Sequence, residues 1–389
     1  MSNQSARHRR WLQFLYAAGV VVATLQRGVW NRDHTTFSIF RQSFLHLVNH
    51  QNLYAAYPAE QGAGAADLFK YSPSAAVLFA PLTLVPFPVA LLLWNAANAG
   101  LLFYALTRLL PRRQANRALL LLAPEMFVAL QSSSSNGLVA AFILLAACAY
   151  EEGRLVRAGY AVVVGAAIKV FPLASFIFAV LQARRRRAII AGVACFLLVL
   201  CLPLLVVPPA HLLQQYRWWG AIEVRDASDM LFGLSLMRQM REWSGITWPN
   251  WTLQLLGTGF FLLPLVLRRE AWRTVEFRVQ YLCSLLVYVV LFNHQAERQS
   301  YVIAAAGCVI WTVASPLSLD RAVLLVLALA GVPTVPYLAL WLVMHTELLR
   351  ATPSITAVRR PPHDPGVISI GASVTGLRRR ISAGYRRAS

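Results

Sequence analysis

The chain has 389 residues, 58% of them hydrophobic and only 13% charged, with a formal net charge of +20. Soluble domains carry about 25% charged residues, so the composition excludes an ordinary soluble enzyme. The basic residues punctuate apolar runs instead of forming a patch, so no nucleic-acid partner is expected and the fold class is all-α, a polytopic bundle of helices in a lipid bilayer.

The first apolar run, WLQFLYAAGVVVATL, follows RHRR at 7–10 and has no small-residue cleavage site behind it, which predicts an uncleaved helix over about 11–29. A long loop, about 30–73, comes next. Within it TTFSIFRQSFLHLVNHQNLY places Phe37, Phe40, Phe44, Leu47 and Val48 at helical spacing. That amphipathic helix either lies on the membrane interface or packs against its neighbours. Asp33 precedes it, and Glu60 and Asp67 follow it beside Lys70, one of only two lysines in the chain. A carboxylate just outside the membrane suits a general base, and each of these also suits a helix cap or a loop ion pair.

Further helices are expected over about 88–109, 117–131 and 137–150. The last two are joined by QSSSSN at 131–136, hydroxyls and an amide that serve equally for ligand binding or capping. Arginine clusters at 154–157 and 184–187 then mark one, cytoplasmic, face by the positive-inside rule. The 26 residues between them therefore cross an even number of times, as a hairpin of two short helices with its tip at Lys169–Pro172. Each arm spans ~18 Å, short of the ~30 Å hydrocarbon core. Lys169, the other lysine, would thus sit at the floor of a cavity opening outward, where non-helical backbone is tolerated.

Beyond it come a helix over 188–208 and a second outer loop, about 209–248, whose Tyr216, Trp218 and Trp219 suit an aromatic belt or a sugar-stacking surface. Helices over 250–267, 276–292 and 300–314 follow. The turn FNHQAERQ between the last two brings His294, Glu297 and Arg298 within one helical turn at a membrane boundary, as a functional cluster or an interfacial cap. A stretch over 321–349, broken at GVPTVP, reads as another hairpin. Residues 1–349 thus form one integral-membrane domain of about twelve crossings with two larger outer loops. The arginine-rich 350–389 reads as a disordered cytoplasmic tail. All five cysteines fall in apolar runs, with no metal-ligand spacing.

Three short motifs, in order, resemble glycosyltransferase family 87 of the integral-membrane GT-C superfamily, which includes polyprenyl-phosphate-mannose-dependent mannosyltransferases of bacterial envelopes. Lys70-Tyr71-Ser72-Pro73 before LFAPLTLVP is similar to the family's aromatic-x-Pro helix opening. Ser133-Ser134-Ser135-Asn136-Gly137 stands where the family has a Gly-Gln-x-Asn turn, and GAAIKVFP is similar to its apex in the Lys-x-x-Pro spacing of Lys169 and Pro172. His294 falls where the family has a histidine near the outer end of a late helix. The resemblance implies a GT-C helix bundle and sugar transfer from a polyprenyl-phosphate donor to a lipid or glycan acceptor at the outer face of a bacterial cytoplasmic membrane. Transfer would invert the anomeric carbon and need no metal or other cofactor. Asp33, Asp67 and His294 are then the catalytic candidates. Lys169, Lys70, Tyr71, Asn136, Glu297 and Arg298 are the candidates for substrate and phosphate binding.

One departure bears on the base. The family's Asp-x-x-x-Tyr at the start of the first loop is matched best by Thr36-Phe37-Ser38-Ile39-Phe40, with threonine at the aspartate position. Asp33 or Asp67 would have to take that role. A transporter of lipid-linked sugars and a non-catalytic envelope-assembly protein are the other readings this sequence leaves open.

Overall fold

A computed structural model describes residues 3–30, 35–55, 68–227, 233–316, 318–330, 334–350 and 355. Asp33, Glu60, Asp67 and the basic tail lie outside the described residues. Contacts set off a unit Met1–Arg359 from Arg360–Ser389, and the following concerns the first. Among the described residues its regular secondary structure is all helical.

The helices are α1 (Asn3–Leu25), continued by a π turn to Trp30, α2 (Thr35–Val48), α3 (Pro73–Leu78), α4 (Phe87–Leu109), α5 (Arg112–Gln131), α6 (Asn136–Glu151), α7 (Leu155–Ile168) and α8 (Ile177–Val180). They continue as α9 (Arg185–Leu200), α10 (Pro209–Ala227), α11 (Leu236–Ser244), α12 (Asn250–Leu267), α13 (Val275–Leu291), α14 (Tyr301–Ala314), α15 (Leu319–Leu329) and α16 (Thr334–Leu349). Starts and stops follow local chemistry. Pro73 opens α3, where a missing N–H costs nothing. Ser235 caps α11 by accepting from Arg238 N, and Gly245 ends it at φ +66°. Three helical stretches are long and apolar enough to cross a membrane, Ala6–Trp30, Phe87–Leu109 and Asn250–Leu267. Shorter apolar helices, among them α6, α7 and α16, accompany them.

The core is built around α14, whose residues are buried nearly all round, against α13, α5 and α6. A helix apolar on every face belongs inside a bundle. Charge is distributed by helix end. At one end Arg278 grips Glu151 through Nε and Nη2 at 2.5 and 2.6 Å, Arg108 pairs with Glu152, and Arg321 pairs with Glu347. α6 runs from that end to Asn136, about 24 Å away at 1.5 Å per residue. α5, α7 and α13 likewise start beside arginines and finish at the opposite end.

Two expectations are refined. The apolar face of α2 turns into the protein: Phe37, Phe40 and Leu47 are fully buried, with Phe40 5.0 Å from Phe79 and 5.1 Å from Trp94. Packing, not the membrane interface, takes that face, because Phe79 at the end of α3 and Phe87 and Trp94 of α4 are there to receive it. The segment expected as an outer loop over 209–248 is largely helical, as α10 and α11. α10 buries Leu212, Gln215 and Ile222 on one side, and the interleaved arginines and tryptophans hid that stripe.

Candidate functional site

A cavity of about 920 Å³ opens at the end of the bundle away from the arginine-rich helix ends. Its floor is the break after α7. Lys169 leaves the helix in an extended conformation, φ −154° and ψ 134°, and the chain re-enters a 3₁₀ turn at Phe171. The run folds back on itself there. A Cβ on Gly165 would meet Pro172 Cγ and Phe142 Cβ at 2.8 Å, a proximity that a continuing helix would not allow for residues seven apart. Glycine lets the returning arm close onto α7, and proline forbids the helix from continuing.

Lys169 faces the cavity. Its Nζ donates to Asn136 Oδ1 at 3.1 Å and sits 5.1 Å from the Phe171 ring centroid, and the Glu297 carboxylate acts on it electrostatically. Asn136 is presented by the serine turn between α5 and α6. That turn reverses through Ser133 at φ +51°, with Ser134 N bonding back to Ala129 O and Trp94 Nε1 donating to Ser133 O at 2.9 Å. The hydroxyls of Ser132 and Ser134 donate to Val128 O and Ala129 O, both at 3.2 Å, Ser134 and Ser135 line the cavity, and the asparagine is what reaches the lysine.

Lys70 and Tyr71 form another wall. Ser72 pins this segment to the end of α7, its N–H and hydroxyl both donating to Ala167 O at 3.3 and 3.0 Å. Tyr54 donates to Tyr71 O at 2.9 Å, and Trp219 of α10 donates to Lys70 O at 3.3 Å and to Glu223 Oε1 at 3.0 Å. Thr36, Trp219, Glu223 and Arg225 line the same space.

The turn after α13 supplies a further part of the lining, with His294 and Glu297 on the cavity. Arg298 points the other way. Its guanidinium binds both oxygens of Glu125, a carboxylate of α5 that is 2% exposed, at 2.5 and 2.7 Å. Ala296 O accepts from Leu234 N at 2.5 Å, so the turn is held from two sides.

Of the residues expected from the sequence, the cavity brings together Lys169, Lys70, Tyr71, Asn136, His294 and Glu297. Arg298 stands behind it, and Asp33 and Asp67 lie outside the described residues. Sequence reasoning missed Glu125, Glu223, Gln254, Thr258 and Tyr288. The last three line the cavity from α12 and α13, as Glu223 does from α10; Gln254 and Thr258 show in the sequence as polar residues one turn apart in NWTLQLLGTGF, and nothing near Tyr288 marks it. Among the described residues no group of three His, Cys, Asp or Glu side chains comes together to hold a metal ion.

Compared with known protein families, residues 69–316 match the model of glycosyltransferase family 87. The match spans more than half of the chain and takes in the Lys70-Tyr71 segment, the serine turn, the Lys169 apex and the His294 turn. It begins after Asp33, Thr36 and Asp67. A comparison with curated proteins gives no match.

Proposed function

The chain belongs to glycosyltransferase family 87, and from that membership and its charged cavity we propose that it moves a sugar from a polyprenyl-phosphate donor to a lipid or glycan acceptor. The reaction takes place at the outer face of a bacterial cytoplasmic membrane. The acceptor hydroxyl oxygen attacks the anomeric carbon and gives its proton to a carboxylate. The bond from that carbon to the phosphate oxygen breaks on the opposite face, its electron pair leaves with the polyprenyl phosphate, and the configuration inverts.

The observation that carries this reading is Lys169. An ammonium at the floor of a cavity in an apolar bundle, steadied by Asn136, is a fixed point charge for a departing phosphate. It stabilises charge that develops only as the bond breaks, which is the kind of interaction that speeds a reaction. Lys70, Tyr71 and the neighbouring backbone shape the approach, and His294 and Glu297 face it from the opposite turn. Arg298 contributes by holding that turn. The general base is assigned to the first outer loop, at Asp33 or Asp67, since Thr36 lines the cavity but cannot accept a proton at neutral pH. About twelve crossings set the arginine-bearing helix ends on the cytoplasmic side and the cavity opposite them.

The test is transfer of labelled mannose from polyprenyl-phosphate mannose to extracted envelope lipids and glycans by purified protein in lipid nanodiscs. Lys169→Ala should lower turnover ~10²–10³-fold. One of Asp33→Asn and Asp67→Asn should abolish transfer while donor still binds. Full turnover in Lys169→Ala would sink the assignment.

A further inference from the structure

α12 is a helix whose outward side is bare and apolar: Trp251, Leu255 and Leu256 are 61%, 62% and 59% exposed. Its inward side carries Gln254 and Thr258, one turn apart, on the cavity. Polar side chains in such a helix are expensive unless something polar meets them. α12 is drawn close to the end of α13, where the ring of Phe292 occupies the space that a Cβ on Gly257 would need, 2.2 Å away.

The hydrogens can be followed. The Thr258 hydroxyl donates to Gln254 O at 2.6 Å, so the 2.6 Å contact between Thr258 Oγ1 and Tyr288 OH is made with the tyrosine proton. Tyr288 is held by stacking on Phe261, centroids 4.4 Å apart and 6° from parallel, and it lines the cavity with its phenol oxygen still able to accept. Gln254 Nε2 lies 3.4 Å from His294 Nδ1, which leaves the amide a second N–H and its carbonyl oxygen. This wall offers neutral donors and acceptors beside an aromatic ring, with Lys169 on the floor alongside. An anion needs the lysine; a neutral polyol needs the wall.

We infer that Gln254, Thr258 and Tyr288, with Phe292, form the subsite for the donor's sugar ring, reading its hydroxyls while Lys169 holds the phosphate. The inference rests on the donor class proposed above. The experiment measures binding of bare polyprenyl phosphate and of polyprenyl phosphate carrying mannose, glucose or arabinose to the full chain in nanodiscs. One of the three sugars should tighten binding by wild type over the bare phosphate. Gln254→Leu and Thr258→Val, which conserve volume, should each erase about tenfold of that gain and leave bare-phosphate binding unchanged, which also shows that they fold. Lys169→Ala should weaken the bare and sugar-bearing forms alike. Variants that weaken both forms equally, or neither, overturn the subsite, and so does a wild type that gains nothing from any of the three sugars. A wild type that binds no polyprenyl phosphate removes the donor class itself, and the subsite with it.

Discussion

Glu125 sits in LLLLAPEMFVAL, a run in which a lone carboxylate has no local partner, and the fold supplies one from the far side of the sequence. Arg298 arrives 173 residues later and meets it with both nitrogens. Removing one partner of such a pair strands the other's charge, a loss larger than the pair's own net worth. Glu125→Gln should therefore destabilise the protein by about 2–4 kcal/mol, the guanidinium being partly solvated, read as a lowered unfolding temperature in detergent. The double variant Glu125→Gln with Arg298→Gln should cost less than the sum of the singles. Lys169 stood out in the sequence because lysine is scarce here and the position is apolar. Glu125 did not, because nothing nearby in the chain announces its partner.

At the scale of elements, the apex and α10 each shape the cavity by packing. Gly165 lets Pro172 close onto α7, so Gly165→Val should push the apex outward and lower transfer by about tenfold or more by displacing Lys169 from Asn136. Binding of bare polyprenyl phosphate should weaken in parallel. α10 is docked by a clasp outside the helix bundle. Gln215 accepts from Leu53 N at 3.1 Å, donates to Gln51 O at 2.7 Å, and lies 2.8 Å from His211 Nε2, which must accept the second amide hydrogen. Burial first, and the neighbouring His50 second, push the His211 imidazole below its usual value. The fold thus holds the neutral ring, the unfolded chain takes up the proton more readily, and stability falls as pH drops through about 6.5. Hydrogen exchange over residues 211–222, corrected for intrinsic rates, should be faster at about pH 5.5 than at about pH 7.5, and His211→Gln should flatten that difference.

For the whole molecule, the division of charge between helix ends is the main determinant of how the bundle sits in a bilayer. The arginine clusters at 112–117, 154–157, 184–187 and 268–273 gather at one end, and the cavity with Lys169 and His294, with Arg225 among its lining, lies at the other. In a Cys201→Ser background, which removes the exposed native thiol, Asn49→Cys should react with an impermeant maleimide in intact cells. Arg186→Cys should react only after permeabilisation. The reverse pattern would turn the cavity inward and rule out an outer-face reaction.

The sequence by itself determined the helical class, the near positions of most helices, the break at Lys169–Pro172 and the family resemblance. Apolar runs, prolines and arginine clusters are local signals, and a bilayer converts them directly into spans and ends. Only the tertiary structure decided that Arg298 serves Glu125 instead of the cavity, that α2 buries its apolar face in the protein, that the segment after α9 is largely helical, and that Gln254, Thr258 and Tyr288 share a wall with His294. Each of these depends on which distant side chain comes to stand opposite, and spacing along the chain does not encode that pairing.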